Sequence, residues 1–76
     1  MRPLNELRPG DRGRLSRVGG EGGFRRRLME MGFLPGTEVR LVRAVAIGDL
    51  IELEVRGAHI SLRRSEAGAL FLQAPG

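Results

Sequence analysis

Residues 50–62 read LIELEVRGAHISL and carry the clearest structural signal of the chain. Between positions 51 and 56, apolar and charged residues alternate strictly, which is typical of a β-strand with one buried face. Gly57 then predicts a tight hairpin turn. A second strand over 58–62 places Ala58, Ile60 and Leu62 on one face and leaves His59 and Ser61 on the other.

Three further stretches predict strands on either side of this hairpin, at 12–18, 37–45 and 69–73. In the first of them, the apolar residues Leu15 and Val18 are three positions apart, whereas regular alternation requires an even spacing. We therefore expect a bulge or a sharp twist there, as small barrels need in order to bend.

One convincing helix is predicted over 24–31, because Phe24, Leu28 and Met31 share one arc with Arg27 at helical spacing, while Met29 lies off that arc. Gly32 should end the helix in a left-handed conformation, and Phe33 should pack back on its last turn. Residues 34–37, LPGT, predict a type II turn. Short helical turns are expected at 4–7 and 64–67.

These five strands and one helix between the first and second of them predict a mainly β fold, a small barrel forming a single domain over residues 1–76. No stretch resembles a signal peptide or a membrane span, which predicts a cytoplasmic chain. Cysteine is absent, so disulfides and thiolate zinc sites are excluded.

The chemistry-bearing residues are few. One histidine, His59, falls short of the two histidines and one carboxylate of a common ferrous site. The glycine-rich loop at 19–23 lacks the ending of a P-loop, and no serine has an evident base. The sequence therefore predicts that the protein is not an enzyme, binds no cofactor and has no metal-binding residues of its own. A metal site formed between the subunits of an oligomer, with His59 as one ligand, stays open.

Nucleic-acid binding is an alternative function, because the net charge is +4 and all thirteen basic residues are arginine. The charge is uneven: residues 1–27 hold eight arginines and three acids, whereas residues 28–76 hold five arginines and six acids. However, binding of single strands usually needs exposed aromatic residues. The three phenylalanines each have a packing role, and successive arginines at 25–27 splay around a helix.

Four stretches in order resemble the FeoA family: LNELRPGD at 4–11, RLMEMGFLPGT at 27–37, VRAVAIGDLI at 42–51 and ISLRRSEA at 60–67. The resemblance covers nearly the whole chain. It departs from the usual pattern in two places: Leu50 stands where proline often follows Gly-Asp, and the loop at 19–23 is rich in glycine. Both departures concern loops.

This resemblance implies an SH3-like barrel and a cytoplasmic accessory of ferrous iron uptake that docks on the membrane transporter FeoB and modulates its transport or GTPase cycle. A metal-responsive adaptor is a further alternative, and the chain is expected to be a monomer or a homodimer. The same fold also serves as a domain of iron-dependent repressors, but no DNA-binding helix pair is present here.

A docking surface is expected at the end of the helix and in the turn that follows it, because Met29 and Leu34 are apolar residues that the predicted core does not obviously use. SH3-like domains bind partners through surface grooves. The predicted partner-binding residues are Leu28, Met29, Phe33, Leu34 and Pro35.

Overall fold

The computed structural model of the protein describes residues 2–73. Six strands and two helices follow one another along the chain. They are β1 (Arg2–Pro3), β2 (Arg12–Val18), α1 (Gly22–Glu30), β3 (Glu38–Val45), β4 (Leu50–Val55), β5 (Ala58–Arg63), α2 (Arg64–Ala67) and β6 (Leu70–Leu72). Single 3₁₀ turns occupy Leu4–Glu6 and Ile47–Asp49.

The strands form one antiparallel sheet in the order β1-β6-β2-β3-β4-β5. The predicted fold class is confirmed, with α1 between the first two predicted strands. Two details differ. The two-residue strand β1 was not predicted, and within residues 2–73 no pairing joins β5 to β1, so the barrel is open and not fully closed.

Two bulges bend this sheet. Leu15 pairs with Leu72 and Arg17 with Phe71, so Ser16 is an extra residue in β2 relative to β6. This confirms the irregularity predicted from the spacing of Leu15 and Val18, both of which are buried. A second extra residue, Val42 in β3, faces the register step between Leu53 and Glu52 of β4 and was not predicted.

Helix α1 begins two residues before the predicted start and ends in a Schellman motif. The N–H of Phe33 donates to the carbonyl of Leu28 at 3.1 Å, and the N–H of Gly32 donates to that of Met29 at 3.0 Å. Gly32 has φ 108°, a region that glycine enters without steric cost. Leu28 and Phe33 are both buried members of the core, at the two positions where a hydrophobic contact frequently accompanies this motif.

Every strand except β1 contributes to one hydrophobic core, which α1, α2 and the N-terminal 3₁₀ turn also cover. Its buried members are Leu4, Leu7, Leu15, Val18, Leu28, Phe33, Val39, Leu41, Ile51, Leu53, Val55, Leu62, Ala67, Leu70 and Leu72. In the part of the chain that the structure describes, neither helix has the length and apolar composition to cross a membrane.

The outer face of β3, β4 and β5 carries a network of charged side chains. The His59 ring lies between two carboxylates, with Nδ1 2.7 Å from Glu52 Oε2 and Nε2 3.5 Å from Glu54 Oε2. Arg43 pairs with Glu52 at 2.8 Å, and Arg40 pairs with Glu54 at 2.9 Å. Hydrogen bonds from His59 and then from Arg43 hold the pKa of Glu52 below its ordinary value of 4.5.

Replacing Leu28 by alanine should lower the free energy of unfolding by about 2–5 kcal/mol, because Leu28 is fully buried and its loss leaves a cavity. The total free energy of unfolding of a 76-residue domain is only about 4–11 kcal/mol, so the effect will be large. Denaturant unfolding measures it. Met29→Ala changes a half-buried neighbour on the same helix and is the control. It should lower the free energy of unfolding clearly less than Leu28→Ala does. Equal losses would contradict the packing described here.

Glu52→Gln should flatten the dependence of stability on pH in the acid range. Because the folded-state pKa of Glu52 is lowered, its carboxylate stabilises the fold above about pH 4.5, and this contribution disappears as pH falls through the folded-state pKa. Urea midpoints between pH 7 and pH 3 test the effect. Glu6→Gln should leave the wild-type curve unchanged, since no side chain of residues 2–73 pairs with Glu6. An unaltered curve in the Glu52 variant would refute the assignment.

Candidate functional site

The five predicted partner-binding residues divide into two groups. Leu28 and Phe33 are 0% exposed and belong to the core. A folded chain presents neither side chain to a partner, so these two residues leave the candidate surface. Their apolar character fits the C-terminal motif of α1, which a hydrophobic contact between these two positions frequently accompanies.

Met29, Leu34 and Pro35 stay accessible, and we call them the Met29–Pro35 surface. Met29 and Leu34 are half-buried and Pro35 is exposed. The turn that carries Leu34 and Pro35 is fixed at both ends. The N–H of Thr37 donates to the carbonyl of Leu34 at 3.1 Å, and the N–H of Gly36 donates to that of Leu15 at 2.7 Å.

A groove runs along the solvent side of α1 and is lined by Gly22, Arg25, Arg26, Met29 and Glu30, which we call the α1 groove. Its volume is about 510 Å³. Gly22, Arg25 and Met29 follow one row of the helix, and Gly22, Arg26 and Glu30 follow the adjacent row. Gly22 contributes no side chain, which leaves the N-terminal end of the groove open.

Sequence reasoning missed this groove because it treated the arginines at 25–27 as splayed around the helix. In the structure, Arg27 does turn away and pairs with Glu66 at 3.1 Å. Arg25 and Arg26, however, lie on adjacent rows and border the same groove. The spacing of these two arginines from Gly22 and Met29 was the signal that could have revealed the groove.

Charged side chains of both signs border the α1 groove. Within residues 2–73, Arg26 has no ion pair, and Arg25 only donates from Nε to the carbonyl of Val18 at 3.1 Å. Glu30 lines the same groove, and Glu21 precedes the helix. The groove therefore places two arginines and one carboxylate beside one apolar side chain.

Two of the three phenylalanines lie beneath arginines. The guanidinium of Arg27 is 5.9 Å from the centre of the Phe24 ring, and that of Arg17 is 5.3 Å from the centre of the Phe71 ring. Both rings are half-buried, and Phe33 is fully buried. The aromatic faces that nucleic-acid bases need for stacking are thus already in use.

The network around His59 does not converge on one point. The two ring nitrogens face different carboxylates, those of Glu52 and Glu54, so the three side chains do not share a common centre. Across residues 2–73, no three histidine, cysteine or acidic side chains are placed to hold a metal ion.

Comparison with protein families gives a match to the FeoA domain over residues 2–74. Among curated proteins, the chain is 36% identical over 70 residues to a fusion of Fe(2+) transport protein A and the Fe(2+) transporter FeoB from Porphyromonas gingivalis. The match covers 92% of this chain and 8% of that much longer protein.

Solved structures of FeoA proteins share the fold. FeoA from Chlorobium tepidum is 36% identical with a TM-score of 0.84, and the match covers 92% of this chain and 67% of that one. FeoA from Stenotrophomonas maltophilia, described as an SH3 domain protein and solved with zinc, is 30% identical with a TM-score of 0.81, covering 92% and 87%.

The family match spans nearly all of the chain, and relatives at 30% identity or more have the same SH3-like architecture. The family is one of ferrous iron transport components and not of known enzymes. On these grounds the chain belongs to the FeoA family.

Proposed function

We propose that this chain is a cytoplasmic accessory of ferrous iron uptake that docks on a FeoB-type transporter and modulates its transport or GTPase cycle. In this proposal it acts through contact alone, as a single domain over residues 1–76, and it catalyses no reaction. Any action at the membrane is then indirect, through the transporter.

The fused relative from Porphyromonas gingivalis is the observation that carries this proposal, because it joins a FeoA part and a FeoB part in one polypeptide. A covalent link raises the effective concentration of one part at the other, which is useful when the two must meet. The Stenotrophomonas maltophilia relative is described as a candidate activating factor of ferrous iron transport, which agrees with a modulating role.

The Met29–Pro35 surface is where we place the contact. Met29 is flexible and adapts to irregular apolar surfaces, while Pro35 is exposed on a turn that backbone hydrogen bonds hold in place. Complete burial of a fully exposed apolar side chain gives about 1.5–3 kcal/mol. Because Met29 is already half-buried, docking would add about half of that, which changes an affinity by roughly three- to tenfold.

Met29→Glu should weaken binding to the FeoB-type transporter of the same organism by about tenfold or more, because docking would bury the introduced charge. Biolayer interferometry with the transporter in nanodiscs measures the affinity. Pro35→Glu, at an exposed turn position, is a second variant that should fold normally and also weaken binding.

Ile47→Glu is the matched control, since Ile47 is 87% exposed in a different loop and the substitution introduces the same charge. Its affinity should stay within about twofold of wild type, because a surface residue outside an interface contributes little. Unchanged binding by Met29→Glu and Pro35→Glu, with native circular dichroism spectra, would disprove this docking surface. Absence of any wild-type binding would disprove the proposed function itself.

A further inference from the structure

The two edges of the sheet differ in how well they are protected. One edge is β1, which has only two residues and contains Pro3, a residue without a backbone N–H. The other edge is β5, which has six residues, pairs with β4 without a bulge and contains neither proline nor glycine. Short length, proline, bulges and charge normally prevent an edge strand from pairing with another chain. Of these, β5 has only charged groups, and the permanently charged one, Arg63, lies at its very end.

The hairpin between β4 and β5 determines which backbone groups face the open edge. Both residues of its turn, at 56–57, have positive φ, 53° and 80°, as in a two-residue type I′ turn. Such a turn is closed by a hydrogen-bonded pair, here Val55 and Ala58, and hydrogen-bonded pairs then alternate with non-hydrogen-bonded pairs along the two strands. The backbone N–H and C=O groups of His59 and Ser61 therefore point away from β4.

These outward backbone groups have no partner within the part of the chain that the structure describes. β5 pairs with β4 alone, and no hydrogen bond from another part of residues 2–73 reaches the backbone of His59 or Ser61. The next residue in the same alternation, Arg63, is satisfied differently, because its N–H donates to Glu66 Oε1 at 2.9 Å. The open edge therefore presents the N–H and C=O groups of two residues, one on each side of Ile60.

The apolar face of β5 is incompletely covered at the same place. Leu62 is buried, whereas Ile60 is only half-buried against the core and Ala58, on the same face, is exposed. An edge with free backbone groups on both sides of a half-covered apolar residue is self-complementary, because a two-fold axis at Ile60 exchanges His59 with Ser61. Interfaces with two-fold symmetry require this property of a surface.

We propose that this edge binds a second copy of the chain, with the two β5 strands antiparallel and a two-fold axis at Ile60. In this register, His59 of each copy pairs with Ser61 of the other, so that every outward N–H and C=O group of these residues is hydrogen-bonded. The two Ile60 residues form the non-hydrogen-bonded pair between them, where side chains come closest. Leu62 of one copy lies opposite Ala58 of the other and covers it. This inference does not depend on the proposed function.

The charges on the outer face are compatible with this register. His59 faces the neutral Ser61, so no two like charges meet at the centre of the interface. Glu52 and Glu54 lie one strand farther away and are already paired with arginines. A second copy supplies the matching strand by itself, whereas an unrelated extended segment needs side-chain pockets beside the edge in order to be selected.

Cysteine crosslinking tests the register, because the chain has no cysteine of its own. Ile60→Cys places two Cα atoms about 4.5 Å apart across the axis, within the roughly 4.4–6.8 Å of a disulfide. Ser61→Cys is the matched control, since its two Cα atoms lie about 8 Å apart across the same axis, which is too far. Under mild oxidation, Ile60→Cys should form covalent dimers at least about tenfold faster than Ser61→Cys or the exposed Ala44→Cys on β3.

Sedimentation velocity measures the association without any cysteine. So short an edge buries less than the about 1,200 Å² of a stable interface, so dimers should form toward about 1 mM chain and dissociate near 10 µM. Ser61→Pro removes an N–H that points away from β4 and should weaken the dimer by about tenfold. Ser61→Ala keeps that N–H and should stay within about twofold. Because each copy carries a net charge of +4, added salt should strengthen the association.

Three results would overturn the inference. Faster crosslinking of Ser61→Cys than of Ile60→Cys would reject the two-fold axis at Ile60. Equal crosslinking of both variants and of Ala44→Cys would show random collision without a specific edge. A wild-type chain that stays monomeric at about 1 mM would exclude the second copy. If Ser61→Pro then also lost binding to the transporter, the edge would belong to a transporter segment instead.

Discussion

The extra residue at Ser16 in β2 is the constraint on which the sheet depends. β2 must pair with β3 along one part and with β6 along another, and a flat strand could not serve both. The bulge increases the local twist, so that Leu15 and Val18, three positions apart, both enter the core. Leu15 also holds the turn after α1 through its backbone N–H and carbonyl, and the bend thereby positions the candidate docking surface.

Much of this fold could be predicted from local patterns. Strict alternation at 51–55 indicated β4, and Gly32 followed by Phe33 indicated how α1 ends. The second bulge, at Val42, was not predicted because Val42 is apolar and β-branched and therefore fits a regular strand. The two residues of β1 have no local signal at all, since their pairing with β6 exists only once the chain has folded. In β5, solvent exposure decreases along the face that was predicted to point inward: Ala58 is exposed, whereas Leu62 is buried.

The candidate site was only partly predictable. Helical spacing indicated which side of α1 faces the core. It did not indicate how deeply Leu28 and Phe33 are buried, because their burial depends on strands that are distant in sequence. Met29 was predicted to lie off the core arc, but in the structure it is half-buried and packs against the core, as Phe24 and Met31 do. The α1 groove was overlooked because consecutive arginines were judged by their angles alone, and the partners available to each arginine are visible only in three dimensions.

The uneven pairing of charges has a kinetic consequence. On the outer face of β3 and β4, two arginines pair with two glutamates and cancel their charge locally, so the net charge of +4 is carried by the rest of the chain. A net charge of one sign raises the rate of encounter with a surface of the opposite sign. Association of this chain with a negatively charged surface would therefore be fastest in dilute salt.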